Sequence, residues 1–174
     1  AAKAGLADRV QFELCDYRDI QGQFDRVVSI EMYEAVGEEY WPGYFRAIQG
    51  ALKPGGIAAI QGITINPAIF DEYRAKRDFI QKYIFPGGML PSPTVFDREA
   101  KKAGFKVGQH FNFGVDYART MQVWSENFEK NIRQIRQLGF DEKFIRLWRF
   151  YLASCIALFY HGRTNVMQVE LSRP

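Results

Sequence analysis

At 174 residues the chain has the length of one domain, and its 47% apolar and 25% charged residues are ordinary values for a soluble fold that buries a core. The net charge of +3 is spread through 74–77, 98–106 and 133–149 among acids, which fits solvated helical faces and argues against a nucleic-acid stripe. No apolar run approaches the roughly 18 residues of a membrane span, no signal peptide is visible, and Cys15 and Cys155 lack metal spacing, as in a reduced, cytoplasmic protein. Aromatic residues are plentiful at 16%, which means either a densely packed interior or an apolar binding channel.

In chain order, residues 1–8 read as the last turn of a helix and a glycine turn. RVQFELCD (9–16) alternates Val10, Phe12 and Leu14 with polar neighbours and predicts a strand. FDRVVSIEM (24–32) is nearly continuously apolar, as in a strand covered on both faces. A helix is expected from Gly37 to Leu52, with Tyr44, Phe45, Ile48 and Leu52 as its apolar stripe, ended by Pro54 and two glycines. GIAAIQGIT (56–64) is a third buried strand. Strand, helix and strand at this spacing imply parallel pairing with a crossover helix.

Beyond Asn66-Pro67 the pattern changes. Residues 68–83 read as helix, 84–93 as a Pro/Gly-rich loop, and Thr94 as the cap of a helix ending at Gly104. FKVGQHFNFG (105–114) is a fourth strand. Two long helices follow at about 116–138 and 141–161, and TNVMQVELS (164–172) is a final strand. The whole is one α/β domain, with a sheet core and cofactor edge in 1–65, a lid and loop in 66–104, and terminal strands and long helices in 105–174. A doubly wound sheet normally opens with a Gly-rich turn after its first strand. None is present, so the sheet reads as partial, with its first strands and Gly-rich loop missing and an inner strand left as an edge that could pair with a second copy.

The strings DYRDIQGQFD (16–25), RVVSIEMYEAVG (26–37) and LKPGG (52–56) resemble the second half of a class I S-adenosylmethionine-dependent methyltransferase with a Rossmann-like sheet. YIFPGGMLPS (83–92), DYARTMQVW (116–124) and FYLASCIALF (150–159) resemble the cyclopropane-fatty-acyl-phospholipid synthases more narrowly. LKPGG is shared by many methyltransferases; the combination of the other three is specific. The resemblance implies methylene transfer from S-adenosyl-L-methionine to the double bond of an unsaturated phospholipid acyl chain, at a peripheral membrane surface and with a bound bicarbonate ion as base. Because the Gly-rich turn is absent, the 174 residues alone are expected to be inactive.

Asp16, just beyond a predicted strand, can accept a hydrogen bond from an adenine amino group while Tyr17 packs on the ring; a turn cap with a neighbouring aromatic is the alternative. Glu34 stands in the apolar string MYEAV, where a carboxylate is expensive without partners, and Glu31 is its rival, since one of the two could face solvent. By resemblance, Glu34 and Tyr117 hold the bicarbonate and the Ile63 backbone contributes. Gln61 replaces a histidine found in many relatives. It can hold an ion but cannot titrate near neutral pH. The family's upstream cysteine is matched by neither Cys15 nor Cys155, and His110 and His161 read as structural. Phe85 matches a lid aromatic, with ordinary core packing as the alternative. Two other readings stay open: methylation of another olefin or metabolite without ring closure, and an inactive fragment of such an enzyme.

Overall fold

The computed structural model describes all 174 residues. Four strands form one sheet: β1 (Phe24–Ile30), β2 (Leu52–Ile65), β3 (Lys106–Asn112) and β4 (Thr164–Ser172), in the order β1-β2-β4-β3. β1 and β2 are parallel, and β4 runs antiparallel to both β2 and β3. The crossover between β1 and β2 carries α1 (Trp41–Ala51). Its stripe of Trp41, Tyr44, Phe45 and Ile48 is buried against Ala58, Ile60, Val169 and Leu171 on one face of the sheet. This is the apolar spacing the sequence shows. Burying each such side chain stabilises the fold by roughly 1.5–3 kcal/mol. The helix α4 (Pro93–Lys102) adds Val95, Phe96 and Ala100 to the same layer.

The other face is covered only toward the carboxyl end of β2. There α5 (Gly114–Lys130) and α7 (Glu142–Tyr160) pack together over Val166, with Ala118, Met121, Leu152, Cys155 and Phe159 between them. Gly114 sets the position of α5. Its N–H donates to Asn165 Oδ1 at 2.7 Å, and a Cβ at this residue would lie 2.6 Å from that oxygen and 3.0 Å from the Asn165 backbone Cα. Side-chain rotation cannot relieve the second contact. Gly114→Ala is therefore expected to destabilise the protein by about 1–3 kcal/mol, seen as a lower urea midpoint. Val115→Ala, at an exposed neighbour, should leave the midpoint in place.

Several expectations are corrected. Residues 9–16 form no strand, and Phe12 and Leu14 are fully in solvent. Alternation marks a strand only where a sheet edge receives it, and this segment pairs with none. β1 is not covered on both faces, because Val28 and Ile30 are exposed beyond the reach of α5 and α7. The helical stretch 68–83 is broken into α2 (Phe70–Ala75) and α3 (Phe79–Tyr83). Asp78 restarts the helix with a capping box: its carboxylate accepts from Gln81 N at 2.8 Å, and Gln81 Oε1 accepts from Asp78 N at 3.0 Å. The cap of α4 is Ser92, which accepts from Val95 N, with Pro93 rather than Thr94 opening the helix. The long helix at 116–138 starts at Gly114 and breaks at Asn131, so that α6 (Ile132–Gln137) stands apart.

Candidate active site

The site lies where open α/β sheets bind ligands, beyond the carboxyl ends of the parallel strands. Glu31 is the first residue past β1. It is the one non-glycine residue with positive φ (52°), a left-handed conformation that costs about 1–2 kcal/mol. Its N–H donates to the Gln61 carbonyl at 2.8 Å, adding a rung to the β1–β2 ladder. Its carboxylate accepts from Gln61 Nε2 and from the Tyr117 hydroxyl, each at 3.0 Å. Gln61 Oε1 in turn accepts from Gln168 Nε2 at 2.7 Å, across the β2–β4 pairing. That contact fixes the Gln61 amide so that its NH2 faces Glu31.

Glu34 follows in a short 3-10 turn (Tyr33–Ala35). Its Oε1 accepts from the Ile63 backbone N–H, and its Oε2 is buried with no partner. Burial is the main reason its carboxyl is pushed up to about 7; the nearby Glu31 charge adds to this and the Ile63 N–H opposes it. Gly62 leaves room for the carboxylate, since a Cβ there would already touch Glu34 Oε1 at 3.4 Å. The backbone oxygen of Glu34 accepts from Met89 N at 2.9 Å, which ties the IFPGGML loop to the same turn.

Glu31, Glu34, Ile63 and Tyr117 face a cavity of about 470 Å³. Its walls are mainly apolar: Ile63 and Ile65 from β2, Ile80 and Phe85 from the lid, Met121 and Trp124 from α5, and Tyr151, Leu158 and Phe159 from α7. Exposed Lys76, Arg77, Asp78 and Arg163 mark the opening. The Cys155 thiol is pushed up to about 11 by burial and remains neutral. Burial likewise raises the Tyr117 and Tyr151 hydroxyls, which stay protonated as donors.

The structure thus gathers Glu34, Ile63, Tyr117 and Phe85 around one cavity, while Gln61 does not line it and is joined to it only through its hydrogen bond to Glu31. Asp16 and Tyr17 do not line it. Asp16 is on the surface with both carboxylate oxygens held by Arg18 at 2.8 Å, which lowers its pKa to about 2, and Tyr17 packs on Tyr44 with ring centroids 6.1 Å apart. His110 pairs with Asp97 at 2.9 Å, away from the cavity. Glu31, only a rival in the sequence, is the more connected carboxylate of the two. Gln168 was missed, although a glutamine amid the apolar residues of the last strand is a signal of a polar partner. The donors that would suit a bicarbonate ion (Tyr117, Gln61 and the Ile63 N–H) are all directed at carboxylates. An anion placed among them would sit against both Glu31 and Glu34, so the corner as folded does not fit that ion.

A parallel β-α-β unit beside an antiparallel pair, with the cavity at its carboxyl end, is the fold of class I S-adenosylmethionine-dependent methyltransferases. The solved structure of mycolic acid cyclopropane synthase CmaA1 complexed with SAH and CTAB superposes with a TM-score of 0.83, covering 98% of this chain and 65% of that one at 26% identity. Cyclopropane synthase MmaA2 from Mycobacterium tuberculosis shares the fold, with a TM-score of 0.82 over 98% of this chain and 64% of that one at 23% identity. The family model for mycolic acid cyclopropane synthetase matches residues 1–169, and the chain belongs to that family. Tuberculostearic acid methyltransferase UfaA1 of Mycobacterium tuberculosis is 43% identical over 99% of this chain, and the cyclopropane-fatty-acyl-phospholipid synthase of Escherichia coli is 34% identical over 92%. The chain spans 40% of the length of each of these two relatives.

Proposed function

We propose that the protein containing this chain transfers a carbon from S-adenosyl-L-methionine to the double bond of an unsaturated acyl chain in a membrane lipid, closing a cyclopropane ring. The observation that carries this reading is the cavity: apolar along its walls, with Glu31 and Glu34 together at one corner and its other charged residues, Glu72, Lys76, Arg77, Asp78 and Arg163, exposed. When bound, the cofactor supplies an electrophilic methyl group on a sulfonium. The fit of a cation is favourable, since Glu31 and Glu34 present carboxylates and Glu34 Oε2 has no partner. Asp16 and Tyr17 are proposed to hold the adenine, which requires the Asp16–Arg18 pair to open. The walls accept the acyl chain and keep water from the cationic carbon that methyl transfer creates. A proton must then leave the transferred methyl as the ring closes. Bicarbonate, the base implied by resemblance, would have to displace Glu31 from Gln61 and Tyr117.

No helix is long and apolar enough to cross a membrane. Exposed Tyr83, Phe85 and Phe150, with Lys76, Arg77 and Lys82 nearby in sequence, give a surface suited to peripheral docking from the cytoplasmic side. The free edge of β1 is a place where a second copy could pair.

A second reading, methyl transfer without ring closure, is favoured by the 43% identity to a protein named as a tuberculostearic acid methyltransferase. The full-length protein, given methyl-labelled cofactor and vesicles of unsaturated phospholipid, is expected to place label in the acyl chain. Proton NMR of the recovered lipid then separates the readings, because without an added reductant both products gain CH2, and a ring CH2 resonates far upfield of the olefinic =CH2 of a methylene branch. Label found only in water-soluble products would overturn both.

A further inference from the structure

The mismatch between the polar corner and an added anion has a constructive side. Glu31 occupies the point on which two side-chain donors from different elements converge, Gln61 from β2 and Tyr117 from α5. Gln168 locks the Gln61 amide from a third, and the backbone holds Glu31 there in a conformation normally left to glycine. A residue kept against such a backbone preference, at the carboxyl edge of the sheet and on a cavity wall, points to a function for its side chain. A purely structural acid would be met by a basic partner. Glu31 has none; its partners are an amide and a phenol, which hold a carboxylate in place without neutralising it.

We propose that Glu31 is the resident proton acceptor of the reaction, a carboxylate built into the chain where an exogenous anion would otherwise bind. This inference rests on the methyl-transfer reading above. In the step concerned, the alkene π electrons form a bond to the methyl carbon, and the S–CH3 bond breaks with its electron pair going to sulfur. The neighbouring alkene carbon becomes cationic. A C–H bond of the transferred methyl then breaks: its electron pair closes the ring onto the cationic carbon, and the proton passes to the Glu31 carboxylate and afterwards to water. No oxidant, reductant or added ion is needed. If a hydride first shifts from the methylated carbon to its cationic neighbour, loss of a methyl proton to the same acceptor gives a methylene branch instead of a ring. Tyr117 and Gln61 are positioning residues: they aim the carboxylate and are not themselves proton acceptors.

The test uses the full-length protein, unsaturated phospholipid vesicles and buffers freed of carbon dioxide. Wild-type turnover is expected to be unchanged when bicarbonate is removed, and Glu31→Gln, which keeps the shape of the side chain, should lose about a hundredfold or more. Glu31→Gly relieves the backbone strain and opens the corner. It should melt no lower than wild type and recover turnover on adding bicarbonate or formate. A readout independent of turnover is carbon-13 bicarbonate observed by NMR without cofactor, with line broadening expected for Glu31→Gly and none for wild type. Loss of wild-type activity without bicarbonate, full activity in Glu31→Gln, or equal bicarbonate binding by wild type and Glu31→Gly would each overturn the assignment. If wild type places no label in lipid, the methyl-transfer reading itself fails, whereas the bicarbonate-binding comparison still reports on how Glu31 fills the corner.

Discussion

Replacing Glu34 with glutamine is expected to stabilise the protein above neutral pH while lowering turnover by about a hundredfold or more. Burial drives both effects. The folded-state pKa of about 7 lies above the 4.5 of a free glutamate, so the folded protein holds its proton through a range where the unfolded chain has lost it. The contribution to stability is therefore fully present below about pH 4.5, declines as pH rises toward about 7, and is absent above that. The shift corresponds to about 3 kcal/mol as an upper figure. Glutamine keeps an oxygen for the Ile63 N–H and removes the titration. Urea midpoints at pH 5 and pH 8 should differ by less in the variant than in wild type, with the variant the more stable at pH 8. Glu31, Tyr44 and Tyr117 face the same carboxyl, and the two tyrosines stay protonated throughout this range.

Turnover should move the other way. In the proposed reaction, and in a cavity this apolar, a buried negative charge would stabilise the cation formed on the alkene carbon far more than it would in water. Wild-type kcat is then expected to rise with pH through the region near 7, and the variant should be slow and lack that rise. Cofactor affinity should fall far less than turnover, because Glu34 faces the reaction corner and not the nucleoside. A titration in which affinity collapses while saturated turnover persists would move Glu34 to the cofactor instead.

Met121→Trp is expected to block long acyl chains and leave cofactor binding intact. Met121 is fully buried on α5 one turn beyond Tyr117, and its side chain forms part of the cavity wall between α5 and α7. Tryptophan is larger by several heavy atoms and rigid where methionine adapts. The added volume must project into the cavity or force the helices apart. Each methylene displaced from an apolar pocket is worth about 1–3 kcal/mol of discrimination. Turnover on long-chain substrates should fall by roughly ten- to a hundredfold, and by less on shorter chains, while the melting temperature shifts by no more than a few degrees. Equal loss for short and long chains, with a collapsed melting temperature, would mean that the helices had been forced apart.

The sequence by itself determined the elements whose apolar pattern is answered locally. β2 and β4, the α1 stripe of Tyr44, Phe45 and Ile48, and the paired faces of α5 and α7 were legible because each carries its own periodicity and breaks. The family strings were legible too, and with them the grouping of Glu34, Ile63, Gln61 and Tyr117. Only the tertiary structure decided what those residues do to one another. Glu31 and Tyr117 are 86 residues apart, and Gln61 and Gln168 are 107 apart, so no local pattern couples them. The left-handed backbone at Glu31 depends on the ladder to Gln61 and has no signature in the residue itself. The segment 9–16 shows the same limit from the other side: its alternation is perfect for a strand, yet a strand is a relation between two edges, and hydrogen bonds to a neighbour decide whether it forms.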